Sequence, residues 1–148
     1  MKSLINFFEE NVDKYSSNPY MWEKRDGSYQ STNYKEMREL VYQFAAGLIR
    51  LGIKKGDRIT MMAEGRTWWV VAEMGMFYVG AIDVPISIQL NEPADLSFRI
   101  KHSESRMIIV SGSQLKKIEA LKKDLPLVEK IILMDPKDSY EKDEVYMG

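Results

Sequence analysis

Two places in the sequence gather residue types that can hold charge. At the first, Glu64 and Arg66 flank Gly65 where a short apolar run gives way to a helical one. A cation in the first turn of a helix opposes the helix dipole unless something compensates it. Glu64 is the obvious local partner, so a structural tie is the favoured reading over an anion-binding arginine. At the second, Ser111-Gly112-Ser113 lies between a strand and a helix and could offer amides and hydroxyls to an anion. An ordinary serine N-cap explains the same residues and is preferred.

The stronger phosphate motifs fail. Gly47 and Gly52 have the spacing of a P-loop, but Ile53 stands where its lysine must be. A dinucleotide turn needs three glycines, and the first strand-to-helix turn has only Gly65. His102 has no second histidine and no cysteine with which to share a metal, so it reads as a solvated residue near a helix end. Lys116, Lys117, Lys122 and Lys123, interleaved with Glu119 and Asp124, read as a soluble helix face. None of these groups is a catalytic constellation, and no catalytic, cofactor-binding or metal residue is assigned.

Composition narrows the classes further. The 148 residues are 45% hydrophobic and 29% charged, as expected of a globular domain. With 21 basic and 22 acidic residues the net charge is -1, so no long-range field attracts nucleic acid. The absence of cysteine excludes disulfides, thiolate metal sites and a cysteine nucleophile, and a cytoplasmic location is expected. The apolar start is broken by Asn6 and ended by Glu9 and Glu10, unlike a secretory signal. The stretch from Trp68 to Ile86 carries Glu73, Asp83 and Pro85 and is not a membrane span.

The elements that must position these residues are legible from periodicity. Ser3 is placed to cap a helix with apolar positions Leu4, Phe8, Val12 and Tyr15. Asp26-Gly27 joins Tyr20 to Arg25 and Ser28 to Thr32 as a two-residue hairpin. Asn33 and Glu36 resemble a capping box, opening a helix whose stripe of Met37, Leu40, Val41, Phe44, Ala45 and Leu48 stops at Gly52. Strands are then expected at Ile59 to Ala63, Ala81 to Ile86, Met107 to Val110 and Lys130 to Met134. Helices are expected between them at Arg66 to Val79, Pro93 to Ser103 and Gln114 to Lys123. Apolar strands joined by helical crossovers imply an α/β fold, doubly wound around a mainly parallel sheet, with the hairpin as an appendage. The domain spans residues 1–134, and the acidic stretch 135–148 reads as a linker or surface loop with nothing following it. In the Arg66 to Val79 helix, Trp68 and Trp69 point about 100° apart, so one narrow buried stripe cannot hold both. Either this chain covers the rest of that helix or another surface does.

Taken in order, several short motifs resemble one family. They are Ser31-Thr32-Asn33-Tyr34-Lys35-Glu36-Met37, Gly47-Leu48, Leu51 to Arg58, Glu64-Gly65-Arg66-Thr67-Trp68, Gly80 to Pro85 and Lys101 to Arg106. Together they resemble the start of the AMP-forming acyl-CoA synthetases of the adenylate-forming superfamily. Arg66 and Trp69 match the long-chain fatty acid ligases best. Gly65 replaces the asparagine usual after the glutamate, and Ile86-Ser87 replaces a common leucine-tyrosine.

The resemblance implies a Rossmann-like fold and a two-step reaction in a longer parent. A carboxylate attacks the α-phosphate of Mg-ATP and releases pyrophosphate, and coenzyme A then displaces AMP. It also implies that the phosphate loop and the catalytic lysine lie in later segments. This chain is then an N-terminal fragment, inactive alone, that scaffolds the remainder of the parent and could pair as a homodimer through the Trp68 helix. The alternative is a standalone nucleotide or small-ligand binding module, with Glu64, Arg66, Ser87, Gln89, Ser111 and Ser113 outside the carboxyl ends of the strands. A domain that docks a protein partner through the apolar helix is a third reading.

Overall fold

The computed structural model describes residues 2–148, which form two compact units, residues 2–52 with Gly65–Val79, and Ile53–Glu64 with Gly80–Gly148. The first unit contains α1 (Leu4–Tyr15), the hairpin β1 (Pro19–Arg25) and β2 (Ser28–Asn33), α2 (Tyr34–Arg50) and α3 (Thr67–Val79). Local chemistry sets its boundaries. Ser3 and Asn6 exchange hydrogen bonds as a capping box at α1, and Asn33 and Glu36 do the same at α2. Asp26 and Gly27 both take positive φ, 50° and 82°, as a two-residue hairpin turn requires. The strands pair antiparallel from Met21↔Thr32 to Arg25↔Ser28.

Within this unit α2 packs on α3 at close range. A Cβ on Gly75 would stand 2.6 Å from the Phe44 ring, so the approach depends on the missing side chain. A carboxylate ties three elements together. Glu9 of α1 accepts from the hydroxyls of Tyr42, at 2.6 Å, and Tyr78, and pairs with Arg38 at 3.4 Å. Burial pulls the Glu9 pKa up, but these donors outweigh it and hold it below the usual carboxylate range. Trp68 and Trp69 are both half-buried.

The second unit is a five-stranded sheet of β3 (Arg58–Met62), β4 (Ile82–Pro85), β5 (Met107–Val110), β6 (Lys130–Leu133) and β7 (Glu144–Tyr146), with α4 (Pro93–Ser103), α5 (Leu115–Glu119) and a short 3-10 turn (Lys122–Asp124). The strand order is β4-β3-β5-β6-β7 and every pairing is parallel. This is the doubly wound order with its reversal between β3 and β5. All residues from Ile59 to Met62, Met107 to Val110 and Ile131 to Leu133 are buried, so these strands are covered on both faces. On one face Met62, Ile108, Val110, Ile131 and Leu133 pack with Leu96 and Ile100 of α4 and with Ile118, Leu121 and Leu125. At the amino edge Arg106 is held by Asp57 and, at 2.9 and 3.0 Å, by Glu129.

Three expectations need correction. The stretch 135–148 is not only a linker or loop, since Glu144–Tyr146 adds β7 in parallel register with β6. It is too short to show a period, and a buried carboxylate anchors it: Glu144 accepts from Lys137 Nζ at 2.5 Å and from the Glu141 amide at 2.8 Å. The helix expected over Gln114 to Lys123 ends at Glu119, and the chain tightens into the 3-10 turn. Pro126 disfavours helical backbone at Leu125 and so limits any continuation. Third, the lysine face is not uniformly solvated. Lys122 Nζ bridges Glu141 and Asp143 at 2.8 Å each, and Lys117 Nζ donates to the carbonyls of Ile88, at 2.7 Å, and Leu90, at 3.3 Å.

Candidate functional site

Because every strand of the second unit runs the same way, their carboxyl ends meet along one edge. Met62 of β3 stands beside Val110 of β5, which stands beside Leu133 of β6. Three turns therefore leave side by side: Ala63-Glu64, Ser111-Gly112-Ser113 and Met134-Asp135. They straddle the strand-order reversal, where folds of this order place their ligands.

The cluster is built around Glu64. Its Oε1 accepts from Ser113 Oγ and from Gln114 Nε2, each at 2.7 Å, and Ser111 and Ser113 hydroxyls lie 3.1 Å apart. Partial burial works to raise the Glu64 pKa, but hydrogen bonds from Ser111, Ser113, Gln114 and its own backbone prevail and bring it from 4.5 to about 2. Next to it, Asp135 Oδ2 accepts from the Gly112 amide at 2.7 Å. Gln114 is buried, with its Oε1 lacking a hydrogen-bond partner in the structure.

These bonds decide what the serine turn can hold. A phosphate would need the Gly112 amide and the Ser113 hydroxyl, and each is already committed to a carboxylate that would repel a second anion. The turn does not fit the phosphates of ATP.

Of the sequence candidates, Glu64, Ser111 and Ser113 are brought together. Ser87 and Gln89 lie in the loop after β4, where Ser87 Oγ accepts from the Gln89 amide at 3.2 Å. Arg66 belongs to the first unit, and its carbonyl accepts from the Trp69 amide at 3.0 Å as α3 begins. His102 is exposed and stacks on Phe98, with ring centroids 5.6 Å apart. Gln114 and Asp135 were not anticipated. Neither carries a motif, and only the register of β3, β5 and β6 brings them to Glu64 and Gly112.

Residues 8–147 match the family model described as AMP-binding enzyme. The chain belongs to the AMP-binding enzyme family. Among its relatives, long chain acyl-CoA synthetase 8 of Arabidopsis thaliana is 31% identical over 109 residues, 74% of this chain and 15% of that protein. Luciferin 4-monooxygenase of Photinus pyralis is 29% identical over 108 residues, 73% of this chain and 20% of that protein. The chain thus spans 15 to 20% of the length of these two relatives. The fold is that of solved structures: coronafacic acid ligase from Pectobacterium brasiliense superposes with a TM-score of 0.81 at 21% identity, over 94% of this chain and 27% of that one. The α/β class, the parallel sheet and the small hairpin expected from the sequence are borne out, as is the family resemblance.

Proposed function

We propose that this chain is the N-terminal scaffold of a longer adenylate-forming acid–thiol ligase, one that converts a long-chain fatty acid, ATP and coenzyme A to acyl-CoA, AMP and pyrophosphate. The observation that carries the reading is the family match over residues 8–147. The relative named a long chain acyl-CoA synthetase supports the fatty acyl substrate. In such a reaction the phosphate charge of the transition state must meet positioned donors. The donors of the serine turn are spent on Glu64 and Asp135, so the scaffolding role assigns them to the remainder of the parent. That remainder is the chain's main partner, and a second copy meeting the half-buried tryptophans of α3 is another. The parent works in the cytoplasm, using ATP, Mg and coenzyme A.

ATP–pyrophosphate exchange tests this directly. The parent is expected to exchange label in the presence of long-chain fatty acids and this chain alone is expected to stay at background. Exchange above background by the pure chain would overturn the scaffolding role. A parent that prefers short or aromatic acids would overturn the substrate class.

A further inference from the structure

Leu4, Phe7, Phe8 and Asn11 of α1, Tyr20 of the hairpin, Tyr34 at the start of α2 and Met74 of α3 line one cavity of 140 Å³. That is roughly ten times the room a single water requires. Its aromatic walls do not stack. Tyr20 meets Tyr34 at 84° with centroids 4.9 Å apart, and meets Phe8 at 83° and 5.7 Å. Phe7, 61% exposed, stands at the cavity as a further ring.

None of these lining residues is basic. Asn11 has committed its amide nitrogen to the Phe7 carbonyl at 2.8 Å, which leaves its oxygen as the acceptor. Glu73, next to Met74 on α3, places a half-buried carboxylate close enough to act on Tyr20. Burial, then Tyr34, then Glu73 raise the Tyr20 pKa, and burial raises that of Glu73 itself. The lining is aromatic and uncharged, and the Glu73 carboxylate, outside that lining, acts on Tyr20. A neutral apolar guest would gain contact there but would do nothing for the desolvated carboxylate. An inorganic cation would lose its hydration with few oxygens to replace it. A soft, weakly hydrated cation gains from both the ring quadrupoles and the carboxylate.

We propose that this cavity is an aromatic cage for a quaternary alkylammonium group of the choline type. The group could arrive as a free small molecule or as the head of a phosphatidylcholine lipid, since both carry the same trimethylammonium.

The test is titration of the full chain with choline and with 3,3-dimethylbutan-1-ol, its uncharged isostere, followed by the aromatic proton resonances of the tyrosines. Choline is expected to saturate at least about tenfold tighter than the isostere, because only the cation meets the rings and the carboxylate favourably. Glu73→Gln is expected to weaken choline severalfold and leave the isostere unchanged, and Tyr34→Leu to abolish the preference. Phosphatidylcholine vesicles form a second arm. Binding to vesicles that free choline competes away supports the lipid source, and choline binding without vesicle binding supports the free molecule. Equal affinity for choline and its isostere, or no saturation by choline, overturns the proposal. The comparison of two ligands on the unaltered chain keeps the test decisive even if a variant fails to fold.

Discussion

Glu23 on the hairpin accepts the Thr67 hydroxyl proton at 2.6 Å and, at 3.4 Å, the Thr67 amide, so a carboxylate distant in sequence caps the helix that carries both tryptophans. Arg25 steadies the cap, donating to Glu23 at 2.8 Å and to Thr67 Oγ1 at 3.0 Å. The cap also answers the question posed by Arg66. A cation at the start of α3 opposes the helix dipole, and a negative charge at that same end offsets it. Replacing Glu23 with Ala is expected to cost about 1 kcal/mol, the usual worth of an N-cap, read as a lower urea midpoint followed by tryptophan fluorescence. An unchanged midpoint would show that the hairpin carboxylate does not hold the helix.

The close approach of α2 and α3 makes a second prediction. Gly75 lies mid-helix, where glycine costs roughly 1 kcal/mol relative to alanine, so its presence needs a compensating reason. The reason is the Phe44 ring, which a Cβ would meet at 2.6 Å. Phe44 is itself buried, with little room to turn. Gly75→Val is expected to destabilise the chain by about 1 to 3 kcal/mol, as overpacking does. A thermal scan that shows no loss would mean that the two helices yield freely.

Much of this architecture could be read from the residues because the signals are local. The Asp26-Gly27 turn, the capping boxes at Ser3 and Asn33, and Pro93 opening α4 each act within a few positions, and each stands where expected. Pairing across the chain was not legible. Glu144–Tyr146 is too short to announce a strand and becomes one only beside Ile131–Leu133. At the candidate site, Glu64, Ser111 and Ser113 were visible as residue types, but the sequence cannot show that Ser113 spends its hydroxyl on Glu64 and Gly112 its amide on Asp135. Those bonds turn an apparent anion site into a self-satisfied one. They depend on sheet register, which no short motif encodes.

Lys117 offers a third prediction, since it departs from the solvated face on which its neighbours lie. Its ammonium donates to the carbonyls of Ile88 and Leu90, pinning the loop that follows β4. Lys117→Met keeps the aliphatic stem and removes the donors. Amide hydrogen exchange across residues 87–91 is expected to quicken by about tenfold, consistent with losing hydrogen bonds from a charged group. Lys117→Arg should restore part of the protection. Equal exchange in all three proteins would show that the loop is held by its own turns.

Glu64 gives the last prediction, and its sign follows from the direction of its shift. Its pKa falls from 4.5 to about 2 in the folded chain, because donated hydrogen bonds outweigh burial. A depressed carboxylate contributes stability that is complete above its unfolded value and is lost as pH falls through the folded one. The contribution should therefore be whole at neutral pH and disappear between pH 4.5 and about 2. Glu9, Glu23, Asp143 and Glu144 are also depressed, so acid weakening of the chain as a whole cannot be assigned to one group. The difference between the chain and Glu64→Gln isolates it. Urea midpoints of the two proteins should stand furthest apart above about pH 5.5 and converge toward pH 2 as the native carboxylate takes up its proton. A gap that stays constant over that range would mean that Ser113 and Gln114 bind the amide as well as the carboxylate, and that the charge of Glu64 does not organise the carboxyl edge of the sheet.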